Sequence, residues 1–188
     1  MKRIVVFASG GGTNAENLIR YFNGKPNARV VQVLSNNPQA KVLDRAKALE
    51  VSAVSFNRVA FSNTDDVLNI LKAIKPDLIV LAGFLWKIPE NIIKTFPNKL
   101  VNIHPALLPK YGGKGMYGMH VHEAVVANKE KETGITIHYV NEHYDEGAVI
   151  FQAKCDVLPS DSADDVAAKI HELEMEHFPK VVEGLLKE

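Results

Sequence analysis

Short runs of β-branched and other apolar residues recur along this chain, and segments with helical periodicity separate the early ones. The runs cover residues 3–8, 29–35, 52–56, 77–83, 99–104, 135–140 and 148–158. Between the early runs, apolar residues recur at helical spacing over residues 14–22, 40–49 and 62–74. Strands that are apolar almost throughout and alternate with helices are typical of a parallel sheet covered on both faces.

The last two runs break this alternation. The polar segment NEHYDEG joins them, which predicts an antiparallel edge, and a long helical pattern over residues 162–186 follows. The predicted fold class is therefore α/β and Rossmann-like. It has a mostly parallel central sheet of about seven strands, helices on both faces and an antiparallel edge near the C-terminus. With 188 residues, 46% of them hydrophobic, one compact domain over residues 1–188 is expected.

Charge and cysteine content exclude several kinds of protein. Lys plus Arg and Asp plus Glu both number 22, so no global field attracts nucleic acid or an anionic membrane. No apolar run approaches the roughly 18 residues of a membrane span. The single cysteine, Cys155, can form no internal disulfide, and no signal-cleavage pattern follows the first residues. We expect a cytoplasmic monomer or homodimer with no nucleic-acid or membrane partner.

The segment ASGGGTNAEN follows the first strand and opens the first helix. Its glycines let the backbone approach a ligand, and the N–H groups of a helix start attract an anion. The spacing also fits G-x-G-x-x-A, but a dinucleotide site requires an acidic residue about 20 positions later. The second strand instead ends in LSNNPQ, and no P-loop motif occurs. A phosphate monoester is favoured, and a tight turn without a ligand remains the alternative.

Asn102 and His104 lie two residues apart at the end of a predicted strand, just before Pro105. Side chains two apart in a strand share one face, and open α/β sheets bind ligands at the carboxyl ends of their strands. An amide and an imidazole aimed at one point can stabilise an oxyanion, and the imidazole can also move a proton. A structural role for a single histidine remains the alternative.

A carboxylate beside His104 would raise the pKa of the imidazole and orient it. Asp145 follows the strand predicted over residues 135–140 and can reach the same edge, although a hairpin turn also explains an Asp there. The competing acids lie at strand starts or beyond strand ends: Asp77, Asp156 and Asp161. The segments MHVHE and HELEMEH lack metal-site spacing, so we expect no metal.

Six segments occur in a fixed order and together cover nearly the whole chain: FASGGGTN, LSNNPQAKVLDRAKALEV, PDLIVLAGFLWKIP, NIHPALLPKYGG, GITIHYVNEHYDEGAVIFQ and EMEHFP. This combination resembles the glycinamide ribonucleotide formyltransferases, folate-dependent enzymes of purine biosynthesis. The resemblance implies that 10-formyltetrahydrofolate, as cosubstrate, donates a formyl group to the amine of glycinamide ribonucleotide.

The resemblance also implies roles for individual residues. The catalytic residues would be Asn102, His104 and Asp145. The substrate phosphate would bind Gly12, Thr13 and Asn14, and the glycinamide part would contact Glu176. The folate would contact Leu85, Trp86, Lys87, Ile88, Val140, Asn141, Glu142, His143 and Tyr144.

The chain also departs from the family pattern. Many relatives carry M-R-I-L where this chain has LWKI, and an Arg that often precedes the third helix is Thr64 here. Residues 114–121, KGMYGMHV, form a longer link than in many relatives. The first two departures concern the folate contacts, and the longer link would form a different lid or contact surface.

Several rival functions stay open. Methionyl-tRNA formyltransferase and formyltetrahydrofolate hydrolase share the Asn, His and Asp, but each requires a further domain for which 188 residues leave no room. An NAD-dependent oxidoreductase explains the glycine loop but not the Asn and His pair. A non-catalytic phosphate-ester binding module leaves the pair and Asp145 unexplained.

Overall fold

The computed structural model describes residues 1–187. Its strands are β1 Lys2–Phe7, β2 Ala28–Ser35, β3 Ser52–Ser55, β4 Leu78–Leu81, β5 Leu100–His104, β6 Glu132–Tyr139 and β7 Val149–Asp156. Its α-helices are α1 Thr13–Phe22, α2 Lys41–Ala48, α3 Asp66–Ile74, α4 Glu90–Thr95, α5 Met119–Ala127 and α6 Ala163–Leu185. A π-helical turn, Val59–Asn63, precedes α3.

All seven strands belong to one sheet in the order β3-β2-β1-β4-β5-β6-β7. The pairs from β3 to β5 are parallel, whereas β6 pairs antiparallel with both β5 and β7. The predicted fold class is confirmed, including the antiparallel edge. Strand order reverses at β1, which lies between β2 and β4, so the ligand crevice is expected outside the carboxyl ends of β1 and β4.

The sheet is buried on both faces because apolar side chains point to both sides of its central strands. In β1, Ile4 and Val6 pack into a core with α1, α2 and α6, whereas Val5 and Phe7 pack into a second core with α3 and α4. All four side chains are fully buried. Each such side chain contributes about 1.5–3 kcal/mol to the free energy of folding.

Sequence periodicity missed two helices and misplaced the start of a third. Helix α4 has six residues, too few for a periodic pattern to emerge, and α5 is apolar on most sides. Helix α3 begins at Asp66 rather than residue 62 because the π-helical turn occupies the residues before it. None of the helices within residues 1–187 is long and apolar enough to cross a membrane.

Helix α6 begins at a capping box and contains a proline that removes one helical hydrogen bond. Ser162 caps it in a reciprocal capping box with Asp165. Pro179, inside the helix, has no N–H to donate to the carbonyl of Met175. Asn17 of α1 supplies the missing donor, with its Nδ2 2.9 Å from that carbonyl oxygen. This bond ties α6 to the helix that follows the glycine loop.

Candidate active site

Four polar side chains converge at the carboxyl end of β5 and the adjoining end of β6. Asn102 and His104 project from one face of β5, and Asn102 is paired with His138 of β6 across the antiparallel register. The Nδ2 of Asn102 lies 3.1 Å from Nε2 of His138. Asp145, in the loop after β6, places one oxygen 3.6 Å from Nδ1 of His104 and the other 3.6 Å from Nε2 of His138. The structure therefore brings the three predicted residues together and adds His138.

Hydrogen bonds fix the tautomers of both imidazoles. Nδ1 of His138 lies 2.8 Å from the carbonyl oxygen of Tyr139, so that nitrogen carries the proton and Nε2 accepts from Asn102. Nε2 of His104 donates to the carbonyl oxygen of Tyr111 at 2.7 Å, which leaves the lone pair of Nδ1 facing Asp145. Two acceptors cannot hydrogen-bond, which accounts for the 3.6 Å between that nitrogen and the carboxylate.

Burial lowers the pKa of His104 below its ordinary value, although Asp145 and the Tyr111 carbonyl act to raise it. The imidazole is therefore neutral near pH 7 in the ligand-free protein. The sequence led us to expect a charged imidazole held by Asp145, and burial outweighs that carboxylate. His122 of α5 is a second buried imidazole whose pKa is lowered by burial and by the neighbouring His104.

Asp145 is held in a specific backbone conformation. Its φ is 56°, in the left-handed region that non-glycine residues seldom adopt. The N–H of Gly113 donates to its Oδ2 at 2.9 Å. Burial acts to raise the pKa of Asp145, but His138, His104 and the Gly113 N–H together hold it below its ordinary value. The carboxylate stays ionised at neutral pH.

The glycine loop after β1 is built for close backbone approach. Gly12 has φ 78°, and a Cβ there would lie 2.4 Å from the Val42 side chain, so only glycine fits. Gly12 is the N-cap of α1 and no side chain caps the helix, which leaves the N–H groups of its first turn, Thr13 and Asn14 among them, open to a ligand. The predicted residues at this helix start thus form a potential anion site.

Glu174, rather than the predicted Glu176, faces this loop. The Nδ2 of Asn14 donates to Glu174 at 2.8 Å. Burial raises the pKa of Glu174, although Asn14 and His171 act to lower it. Glu176 points the other way, with 59% of its side chain exposed and a salt bridge to Lys180.

A pocket opens beside the four polar side chains. Asn102, His138 and Asp145 line it. The predicted folate residues that line it are Trp86, Lys87, Ile88, Val140, Asn141, His143 and Tyr144. Leu85 and Glu142 do not line it; Leu85 is 49% exposed, and its N–H donates to the Ser9 hydroxyl.

Aromatic side chains support the wall that carries Trp86. Phe56 and Phe61 stack on each other with ring centroids 5.0 Å apart, and both contact Trp86 edge-on or tilted. The guanidinium of Arg58, an exposed residue, lies 4.5 Å from the centre of the Trp86 ring. Such a cation–π contact orients the Arg without neutralising it.

No group of three or more His, Cys, Asp or Glu side chains in the described part of the chain is arranged to hold a metal ion. Residues 114–121, singled out in the sequence, form a glycine-rich link that runs into α5. Gly113, Gly115 and Gly118 all have positive φ there. Tyr117 packs edge-on against His120, and both are exposed.

A doubly wound sheet with an amide, imidazoles and a carboxylate beside a pocket at its carboxyl edge is typical of enzymes that act on small molecules. The chain belongs to the formyl transferase family, whose sequence model matches residues 2–182. Formyl transferases are enzymes, and the predicted family is confirmed.

Individual relatives carry a more specific name. A phosphoribosylglycinamide formyltransferase of Haemophilus influenzae is 37% identical over 187 residues, covering 97% of this chain and 86% of that protein. A chloroplastic one of Vigna unguiculata is 34% identical over 192 residues, covering 100% of this chain. The crystal structure of the enzyme from Streptococcus pneumoniae superposes with a TM-score of 0.87 at 35% identity, covering 98% of this chain and 99% of that one.

The chain spans only part of some relatives. It covers 62% of the Vigna unguiculata protein and 66% of a chloroplastic relative from Arabidopsis thaliana.

Proposed function

We propose that this protein transfers the formyl group of 10-formyltetrahydrofolate to the amine of glycinamide ribonucleotide, a step of purine biosynthesis. The main support is the convergence of Asn102, His104 and Asp145 beside a pocket, at the same carboxyl edge of the sheet as the N-terminus of α1. The names of the relatives point to the same reaction. In this proposal residues 1–188 act as one domain, with the phosphate site in the N-terminal half and the folate and catalytic sites in the C-terminal half.

The acceptor binds at the start of α1. The N–H groups of Thr13 and Asn14 and the approach allowed by Gly12 take its phosphate. Glu174 replaces Glu176 as the residue for the glycinamide part, because its carboxylate lies beside Asn14 whereas Glu176 is paired with Lys180 on the exposed side of α6. Within residues 1–187 the buried Oδ1 of Asn14 has no partner, so it can accept from a substrate N–H or O–H.

The donor enters the pocket with its reactive end beside Asn102. The apolar side chains of Trp86, Ile88 and Val140 line this pocket and suit a flat pterin ring. The polar groups of Asn141 and the ring of Tyr144 lie on the same loop as Asp145, so donor binding and the catalytic carboxylate share one segment.

Chemistry begins when the neutral amine of the acceptor attacks the formyl carbon. The Asn102 amide has two N–H donors; one is held by His138, and the other stabilises the oxyanion of the tetrahedral intermediate. The amine proton passes to the open Nδ1 of His104, either directly or through one water. The imidazolium that forms now donates to Asp145, which lowers the energy of this state.

Collapse of the intermediate completes the transfer. The carbon–nitrogen bond to the folate breaks, and His104 returns its proton to the leaving nitrogen. The products are the formylated ribonucleotide and tetrahydrofolate, and the enzyme regains its neutral imidazole. A positioned oxyanion donor such as Asn102 commonly contributes about 2.7–4 kcal/mol to lowering the activation barrier.

The test is formyl transfer from 10-formyl-5,8-dideazafolate, followed by the absorbance of the deformylated product, with and without glycinamide ribonucleotide. Product formation that depends on the ribonucleotide is the expected result. Loss of formyl to water alone would make the protein a hydrolase, and no reaction with intact phosphate-ester binding would make it a binding module.

Location and assembly stay predictions. A cytoplasmic monomer or homodimer is expected from the sequence, and two relatives are named as chloroplastic.

A further inference from the structure

The turn that follows β5 contacts both members of the His and Asp pair. The carbonyl oxygen of Tyr111 accepts the hydrogen bond from Nε2 of His104 at 2.7 Å. Two residues later, the N–H of Gly113 donates to Oδ2 of Asp145 at 2.9 Å. A displacement of this turn would therefore move the hydrogen-bond partners of both catalytic groups at once.

Tyr111 holds an unfavourable backbone conformation. Its φ is 56°, in the left-handed region, which is unfavourable for a non-glycine residue unless its surroundings fix it. This conformation directs the carbonyl of Tyr111 toward His104. Because the conformation is unfavourable, another contact of Tyr111 is required to keep the hydrogen bond to His104.

The side chain of Tyr111 provides the anchor. Its hydroxyl donates to Oε1 of Glu130 at 2.9 Å and accepts from Nδ2 of Asn128 at 2.9 Å. Burial raises the pKa of Tyr111, so the hydroxyl keeps its proton and remains a donor. Asn128 and Glu130 lie on the turn between α5 and β6, and Lys110 also binds Glu130.

We infer that Tyr111 is a positioning residue for the reaction, and that Glu130 and Asn128 hold its hydroxyl so that its backbone carbonyl fixes the tautomer of His104. The inference rests on the proposed function. With the carbonyl in place, the proton sits on Nε2 and the lone pair of Nδ1 is open to take a proton. Without it, Nδ1–H can donate to Asp145 instead, and the base is lost from the reacting side.

The test uses Tyr111→Phe, which keeps the ring and removes both hydroxyl hydrogen bonds. We expect kcat to fall roughly tenfold, equivalent to about 1.4 kcal/mol, with the KM for each substrate within about twofold of the wild type. The Tyr111 carbonyl raises the pKa of His104, so a looser bond should also move the acidic limb of kcat/KM to lower pH.

Matched variants of Glu130 distinguish the positioning of Tyr111 from a general loosening of the turn that carries it. Glu130→Ala removes the acceptor and should reproduce the Tyr111→Phe result, whereas Glu130→Gln keeps an oxygen that accepts from the hydroxyl and should behave as the wild type. The double variant Tyr111→Phe with Glu130→Ala should lose no more activity than Tyr111→Phe alone, because the bond from the hydroxyl to Glu130 is already absent from that variant. Lys110→Ala, which breaks only an exposed ion pair of Glu130, is the control.

A second readout does not depend on turnover. Nitrogen chemical shifts of the His104 ring in the ligand-free protein report its tautomer, and we expect Nε2–H in the wild type and a mixture in Tyr111→Phe. A wild-type tautomer and an unmoved pH profile in Tyr111→Phe would overturn the inference. A wild type with the expected tautomer but no formyl transfer would overturn the proposed function and leave the positioning intact.

Discussion

At the residue scale, opposing effects set the pKa values of the proposed catalytic groups. Burial favours the neutral form of His104, and the nearby Asp145 favours its charged form. Burial prevails in the ligand-free protein, which supplies a base. In the proposed reaction, the ionised carboxylate then stabilises the imidazolium that forms.

Asp145→Asn tests this balance, because the new side chain keeps an oxygen for the Gly113 N–H but loses the charge. The charge of Asp145 raises the pKa of His104, so its removal lowers that pKa further and the neutral base persists to lower pH. We expect the acidic limb of kcat/KM to move to lower pH and kcat to fall, as measured by pH–rate profiles. Asp77→Asn, at the opposite edge of the sheet, is the control, and an unmoved limb in Asp145→Asn would reduce Asp145 to a turn residue.

The mouth of the pocket offers a second prediction at this scale. Arg58 stacks on Trp86 and Lys87 lines the same wall, whereas Thr64 stands where many relatives have an Arg. We expect Arg58 to bind the glutamate carboxylates of the donor. Arg58→Ala should then raise the donor KM about two- to fivefold, the value of an exposed ion pair, without changing the KM of the ribonucleotide.

A donor lacking the glutamate tail provides the internal comparison for this variant. Its KM should be the same for Arg58→Ala and the wild type, and Arg29→Ala, at the other end of the sheet, should affect neither donor. An equal loss with both donors would mean that Arg58 supports the Trp86 wall rather than the tail.

At the scale of elements, a hydrogen bond at a proline inside α6 joins this helix to α1, the helix that follows the glycine loop. Pro179 leaves the Met175 carbonyl without its helical donor, and Asn17 of α1 replaces it at 2.9 Å. One turn away, Asn14 of α1 bonds Glu174 of α6. The proline therefore links the two helices that carry the proposed acceptor site.

Asn17→Ala should lower the free energy of unfolding by about 1–3 kcal/mol, because it leaves a partly buried carbonyl without a donor. In a Pro179→Ala background, residue 179 has an N–H that can bond the Met175 carbonyl. There, adding Asn17→Ala should cost much less of the free energy of unfolding than it costs in the wild type. Denaturant unfolding of the four proteins measures both effects. If Asn17→Ala cost the same free energy of unfolding with Pro179 as with Ala at that position, the bond from Asn17 to the Met175 carbonyl would not be the source of the loss.

At the scale of the whole molecule, the sequence allows the sheet to be predicted because its central strands are largely apolar and clear helical patterns separate the early strands. The convergence of Asn102 and His104 also follows from strand periodicity alone. His138 was missed because its position opposite Asn102 depends on the register between β5 and β6, which periodicity does not specify.

Other parts of the site depend on contacts that no local pattern encodes. Glu174 and Glu176 are two positions apart on α6, and a separation of about 200° around a helix puts them on opposite sides, so only the packing of α6 selects between them. The role of Tyr111 rests on its backbone carbonyl and on a turn distant in sequence, neither of which its residue type indicates.

The measurement that tests the central claim most directly is the turnover of Asn102→Ala with saturating donor and glycinamide ribonucleotide, in a protein whose unfolding transition matches the wild type. If the Asn102 amide stabilises the oxyanion, kcat should fall by about 10²–10³, while the dissociation constant of the ribonucleotide stays unchanged. An Asn102→Ala protein that is folded and turns over at the wild-type rate would contradict the assignment of this site as the catalytic centre.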